Sequence, residues 1–216
     1  MRAMRVCVFG AGAVGGNIAV MLARAGADVS VLVRGATLQA VRARGLELHT
    51  PDGVVRANVR ASDDPRELGE QDAVLVTVKQ TALTASAPAI TALLGRDTPA
   101  VFLQNGIPWW YFHGQGNADE GKRIPELDPG DVLWNTVGPQ RAVGGVTSSP
   151  CTVVEPGVVK LAGKNGTMVF GEPDGSMSPR LMAIAELFKA AGLPAEATPR
   201  IRDAIWQKLA LNLGSG

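Results

Sequence analysis

Over the first hundred residues the hydrophobic positions alternate between short unbroken apolar runs and longer stretches with helical spacing. The runs are residues 4–9, Val29–Val33, Ala73–Val78 and Ala100–Leu103, each of a length that suits a buried strand. Between them, residues 13–25, a stretch after Gly35 that runs to Arg44, and residues 81–94 carry the helical pattern. In the first of these, Ala19, Met21, Leu22 and Ala25 supply apolar positions and Gly26 the stop. Strand and helix in strict alternation predict an α/β fold of the Rossmann type, a doubly wound sheet. After Gly45 the segment Leu46–Thr50 alternates like an exposed strand, Pro51-Asp52-Gly53 turns the chain, and Val54–Val59 completes a hairpin.

The second half has a different texture. Residues 107–139 are rich in Trp, Gly, Pro and Asp, hold no clear period, and predict a long functional or mobile loop. Val143–Thr147, Thr152–Glu155, Val158–Ala162 and Met168–Gly171 then predict short strands that extend the sheet in antiparallel fashion. Ser178 caps a helix to Ala191, Gly192 stops it, and a last amphipathic helix begins near Arg200. The expected division is a nucleotide-binding domain over 1–198 and the start of a helical part over 199–216.

Composition narrows the class of partner. The 216 residues carry a net charge of +1 with 46% apolar and 19% charged positions, so a nucleic-acid groove, a basic membrane-binding face and a membrane span are not expected. A small ligand fits better. Cys7 and Cys151 stand alone, with neither a C-x-x-C pair nor a histidine cluster, so free thiols and no metal are expected. The first strand starts too early to leave room for a signal peptide, which predicts a cytoplasmic protein.

The strongest chemical signal sits at the first strand-to-helix turn. Gly10-Ala11-Gly12-Ala13-Val14-Gly15 is G-x-G-x-x-G in the context that a dinucleotide-binding βαβ unit requires. Gly10 would permit the turn, Gly12 the approach of a pyrophosphate, and Gly15 close packing of helix on sheet. At the end of the second strand, where NAD-binding units place a carboxylate for the ribose hydroxyls, this chain has Arg34. A guanidinium pairs with a 2′-phosphate, so NADP(H) is expected ahead of NAD, with FAD a distant alternative. The bland alternative for Arg34 is a solvated residue after a strand.

Further candidates lie where later strands end. Lys79 follows the Ala73–Val78 run and Asn105 follows Ala100–Leu103, at the carboxyl edge where such sheets bind ligands. On the last helix, Lys208 and Asn212 are four apart and share a face, while Trp206, Leu209 and Leu213 can pack on others. Lys208 against a nicotinamide could give a proton to a carbonyl oxygen as hydride reaches its carbon. Alone, each of these reads equally well as a strand end, a turn pair or a surface lysine.

Taken together, the motifs resemble those of the ketopantoate reductase (2-dehydropantoate 2-reductase) family across nearly the whole chain. They are the glycine motif, Arg34, Val76-Thr77-Val78-Lys79, Leu103-Gln104-Asn105-Gly106, Glu155-Pro156-Gly157-Val158-Val159, Phe170-Gly171-Glu172-Pro173 and Trp206-Gln207-Lys208-Leu209-Ala210-Leu211-Asn212. The resemblance implies NADPH-dependent reduction of 2-dehydropantoate to pantoate on the way to coenzyme A. It also implies roles: Arg34 for the 2′-phosphate, Lys208 as general acid, Asn212 and Asn105 for positioning substrate or nicotinamide, and Lys79 along the pocket. Family members continue as an all-helical domain, so this chain is expected to hold the Rossmann half and one helix of the other. A related 2-keto acid substrate, a non-catalytic dinucleotide-binding module, and a homodimer formed through the last helix are the other expectations.

Overall fold

A computed structural model describes residues 2–214. In chain order the elements are β1 (Arg5–Phe9), α1 (Ala13–Arg24), β2 (Asp28–Leu32), α2 (Gly35–Arg44), β3 (Leu46–Thr50), β4 (Gly53–Ala57), β5 (Arg60–Ser62) and α3 (Pro65–Leu68). They continue as β6 (Ala73–Val76), α4 (Gln80–Thr91), β7 (Ala100–Phe102), α5 (Val132–Thr136), β8 (Ala142–Val146), β9 (Cys151–Glu155) and β10 (Val158–Leu161). The last are β11 (Met168–Gly171), α6 (Pro179–Ala190), β12 (Ala195–Ala197) and α7 (Ile201–Gly214). Among the described residues no helix is long and apolar enough to cross a membrane.

The main sheet has eight strands in the order β12-β11-β8-β7-β6-β1-β2-β5. From β5 to β8 every neighbouring pair is parallel, and β11 then runs antiparallel to β8, with β12 parallel to β11. Strand alternation divides the apolar side chains between two layers, because successive residues face opposite sides of a sheet. Val6 and Val8 belong to the layer that also holds α1, α6 and β3, whereas Cys7 and Phe9 belong to the opposite layer, with α4 and with Ile201 and Ile205 of α7. The chain turns from strand to helix at the same edge after β1, β2, β5 and β6, and so these loops collect there.

Two strands depart from the expected sheet extension. β9 and β10 form a hairpin that joins β3 and β4 in a separate sheet of order β4-β3-β10-β9, with β10 parallel to β3. That small sheet lies against α1, so Leu46 and Leu48 are buried and β3 is not the exposed strand its alternation suggested. Gly16 makes room for it: a Cβ there would stand 2.6 Å from Val159 Cγ2.

The region from 107 to 139 is folded on the α4 side of the main sheet. Trp109 and Trp110 are buried there, Trp109 meeting Phe102 and Trp134 edge-on with ring centroids 5.4 and 6.2 Å apart. The carboxylate of Asp128 accepts from the backbone N–H groups of Leu133 and Trp134, both at 2.9 Å, and so fixes the start of α5. Aromatic burial therefore supplies the order that a regular period would have announced.

Candidate functional site

The turn after β1 depends on each of its glycines for a different reason. Gly10 has φ +99°, which side chains disfavour, and a Cβ would lie 2.8 Å from Val78 Cγ1. Gly15 faces the same turn from α1, where a Cβ would overlap the Gly10 carbonyl oxygen and the Thr77 hydroxyl. That hydroxyl donates to the Gly10 carbonyl at 2.5 Å and ties the turn to the end of β6. Gly12 is the opposite case: it is exposed, has no atom within 4 Å of its Cβ position, and stands at the head of α1 with no side chain capping the helix. Open backbone at an uncapped helix start can receive an anion.

Beyond this turn is a cavity of about 390 Å³. Gly10, Ala11 and Gly12 form one side; Leu32, Val33 and Arg34 come from the end of β2; Val78, Ala82, Ala85 and Ser86 come from the β6 end and α4. Val153, Gly157 and Val158, from the small sheet, line it as well, and so does Asp63 after β5. Its lining joins an apolar wall, an open helix head and a guanidinium, and these suit the flat base, pyrophosphate and ribose phosphate of a dinucleotide. Ala13, Val14 and Gly15 stand behind this surface in the first turn of α1.

A second, smaller cleft lies farther along the same edge. Leu103, Gln104, Asn105 and Gly106 after β7, Val146 and Thr147 after β8, and Ile205 and Lys208 of α7 surround it. Residues about a hundred positions apart, Asn105 and Lys208, thus share one recess. Gln104 shapes its floor by donating through Nε2 to the carbonyls of Val76 and Val78 at 2.9 and 3.2 Å. Lys79 is exposed at the head of α4 and lines neither this cleft nor the larger cavity. Asn212 lies one helical turn beyond Lys208 in an exposed part of α7, outside the lining of both.

The position of α7 is set by contacts that the sequence did not advertise. Arg202 donates to three backbone carbonyls: Tyr111 at 2.9 Å, Pro173 at 2.5 Å and His113 at 2.6 Å. Gly171 lets the helix start close to β11, since a Cβ there would be 2.6 Å from Ile201 Cβ. Glu172, buried beside it, receives both arms of Arg180 at 2.8 and 2.6 Å and the Ser178 hydroxyl. The Phe170-Gly171-Glu172-Pro173 motif therefore seats α6 and α7, and through α7 it sets where Lys208 reaches.

Neither cysteine is poised for chemistry. Burial pushes the Cys7 thiol up to about 12 and the Cys151 thiol to about 11. Missed by the sequence argument were Asp63, Thr77 as a hydrogen-bonding residue, and the Val153–Val158 wall. A three-residue strand before Asp63 gave no periodic signal, and the strand pattern of the β9–β10 hairpin did not name the sheet it joins.

Comparison with known proteins shows the family. The family model described as Ketopantoate reductase PanE/ApbA matches residues 6–175. The 2-dehydropantoate 2-reductase of Mesorhizobium japonicum is 43% identical over 97% of this chain, which spans 64% of that relative. A crystal structure from Ralstonia solanacearum MolK2, assigned as a ketopantoate reductase, superposes with a TM-score of 0.92 at 40% identity, covering 96% of this chain and 64% of that one. D-mandelate dehydrogenase, solved with NADH and anilino(oxo)acetate, shares the fold alone, with a TM-score of 0.78 at 22% identity over 97% of this chain and 61% of its own. The chain thus spans about two thirds or less of the length of these relatives, and by its matched residues it belongs to the ketopantoate reductase PanE/ApbA family.

Proposed function

We propose that this chain is the cofactor-binding part of an NADPH-dependent reductase that converts 2-dehydropantoate to (R)-pantoate, in the supply of pantothenate and coenzyme A. The observation that carries it is a pair of recesses on one sheet edge: the glycine turn and Arg34 line one, Asn105 and Lys208 the other. Gly10–Gly15 hold the pyrophosphate, and Arg34 pairs with the 2′-phosphate. When bound, NADPH would supply the hydride to the keto carbon. Lys208 gives its Nζ proton to the carbonyl oxygen, which leaves an alcohol; Asn105 and Asn212 orient the substrate or the nicotinamide amide, with Lys79 at the margin. Residues 1–198 make the dinucleotide-binding domain, and 199–216 begin the helical part that would complete the substrate side and a homodimer in a cytoplasmic enzyme.

An NADPH titration followed by tryptophan fluorescence tests this. Saturable quenching is expected, with affinity reduced more than about tenfold by Arg34→Asp. Unchanged affinity in that variant would remove Arg34 from the 2′-phosphate site, and no binding at all would sink the proposal. Where turnover of 2-dehydropantoate is measurable, Lys208→Ala should abolish it while NADPH binding persists.

A further inference from the structure

The larger cavity contains a charged group with no part in the scheme above. β5 is only three residues long and lies at the outer edge of the main sheet, parallel to β2, with Leu32 opposite Ser62. The N–H of Val33 donates to the Ser62 carbonyl at 2.9 Å, so the two strands end at the same level. Arg34 lies two residues past the end of β2 and Asp63 one past the end of β5, and both line the cavity that the glycine turn opens into.

The polar groups around Asp63 are already engaged with one another. Asp64 accepts from the Arg66 backbone N–H at 2.9 Å and pairs with the Arg66 guanidinium. Ser62 donates to Glu67 at 2.5 Å, Arg42 reaches the Ala61 carbonyl and Glu67, and Arg60 lies 3.8 Å from Asp28. Among the described residues, neither the Asp63 carboxylate nor the Arg34 guanidinium has a hydrogen bond or an ion pair. Two opposite charges thus face one cavity with their hydrogen-bonding capacity open.

Each suits a different nucleotide. A carboxylate can accept hydrogen bonds from both hydroxyls of an unphosphorylated ribose and repels a 2′-phosphate, whereas a guanidinium binds that phosphate. In the usual NAD-binding arrangement the acid ends the second strand; here Arg34 holds that place and the acid arrives from the next strand over.

We infer that Asp63 is a second determinant of nucleotide choice: it accepts the ribose diol of NADH and opposes the 2′-phosphate of NADPH, leaving the chain able to bind both. This rests on the dinucleotide reading proposed above and adds to it a counterweight to Arg34. In Asp63→Asn the NADPH dissociation constant should fall about three- to tenfold while that for NADH rises by a similar factor, as expected for one partly solvated charge. Because Asp63 is exposed, the melting temperature should stay within about a degree of the parent.

Isothermal titration of the chain and of Asp63→Asn and Arg34→Asp with NADPH and with NADH separates the outcomes. A shift of the affinity ratio toward NADPH in Asp63→Asn, opposite in sign to that in Arg34→Asp, supports the inference. An unchanged ratio in Asp63→Asn, with Arg34→Asp still weakening NADPH, overturns it and leaves the dinucleotide reading standing. Failure of the parent chain to bind either nucleotide overturns both.

Discussion

The indole Nε1 of Trp206 donates to the phenol oxygen of Tyr111 at 2.8 Å, joining α7 to the segment after β7. Trp206 is half exposed, so it depends on this bond more than on burial for its orientation. Tyr111→Phe removes the acceptor while keeping the ring. It should lower stability by about 0.5–1 kcal/mol and shift tryptophan emission to the red. Thermal melts and emission spectra of the two proteins would show it, and identical values would mean that the tie does not hold in solution.

Arg202 acts one turn earlier on the same helix and has more to lose. Its planar fork satisfies three carbonyls at once, a geometry that an ammonium cannot copy. Arg202→Ala should cost about 2–3 kcal/mol in urea unfolding, with Arg202→Lys recovering less than half. Full recovery by lysine would show that charge, and not the fork, anchors the helix.

The glycine turn allows binding and folding to be separated by two single-methyl changes. Gly15→Ala drives a methyl into the Gly10 carbonyl and the Thr77 hydroxyl. It should destabilise by about 1–3 kcal/mol or more. Gly12→Ala meets nothing and has φ −75°, a value that alanine accepts. Its melting temperature should be unchanged while NADPH binding weakens more than about tenfold. A normal affinity in Gly12→Ala would place the pyrophosphate elsewhere.

Thiol chemistry and alkaline stability are linked through Cys7. Its folded value of about 12 lies above an ordinary value of 9, so the neutral thiol is favoured in the folded state. The corresponding stability is complete below about pH 9 and is lost as pH rises from there toward 12, by up to about 1.4 kcal/mol per pH unit. Cys7→Ala should flatten that alkaline limb. At pH 8 Cys7 should react with a disulfide reagent about a thousandfold more slowly in the native chain than in denaturant; comparable rates would contradict its burial.

The legible parts of this fold were those with long periods or compulsory turns. β1, α1, β2, β6 and β7 were expected within a residue or two and α4 within three, because buried parallel strands are unbroken apolar runs and Gly26 ends the first helix. β5 was not legible: Arg60-Ala61-Ser62 is too short and too polar to stand out, yet it carries Asp63 to the cavity. β9 and β10 looked like members of the main sheet, since alternation specifies a strand without naming its partner. Arg34 and Asn105 could be picked from their positions after strands, and Lys208 from its four-residue spacing to Asn212 on the last helix. That Asn105 and Lys208 line one recess, with Asn212 outside it, depends on tertiary packing of α7 by Arg202, whose partners are backbone atoms and leave no side-chain pattern.

The small sheet has a consequence for modularity. Val153, Gly157 and Val158 wall a cavity whose other side is Gly10–Gly12. A transplant of residues 1–146 into another scaffold would carry the whole glycine fingerprint, Arg34 and all six parallel strands, yet leave that cavity open on one side. The nucleotide motif here is not a detachable cassette; its heritable unit extends at least to β10, and recombination inside it would separate the fingerprint from its function.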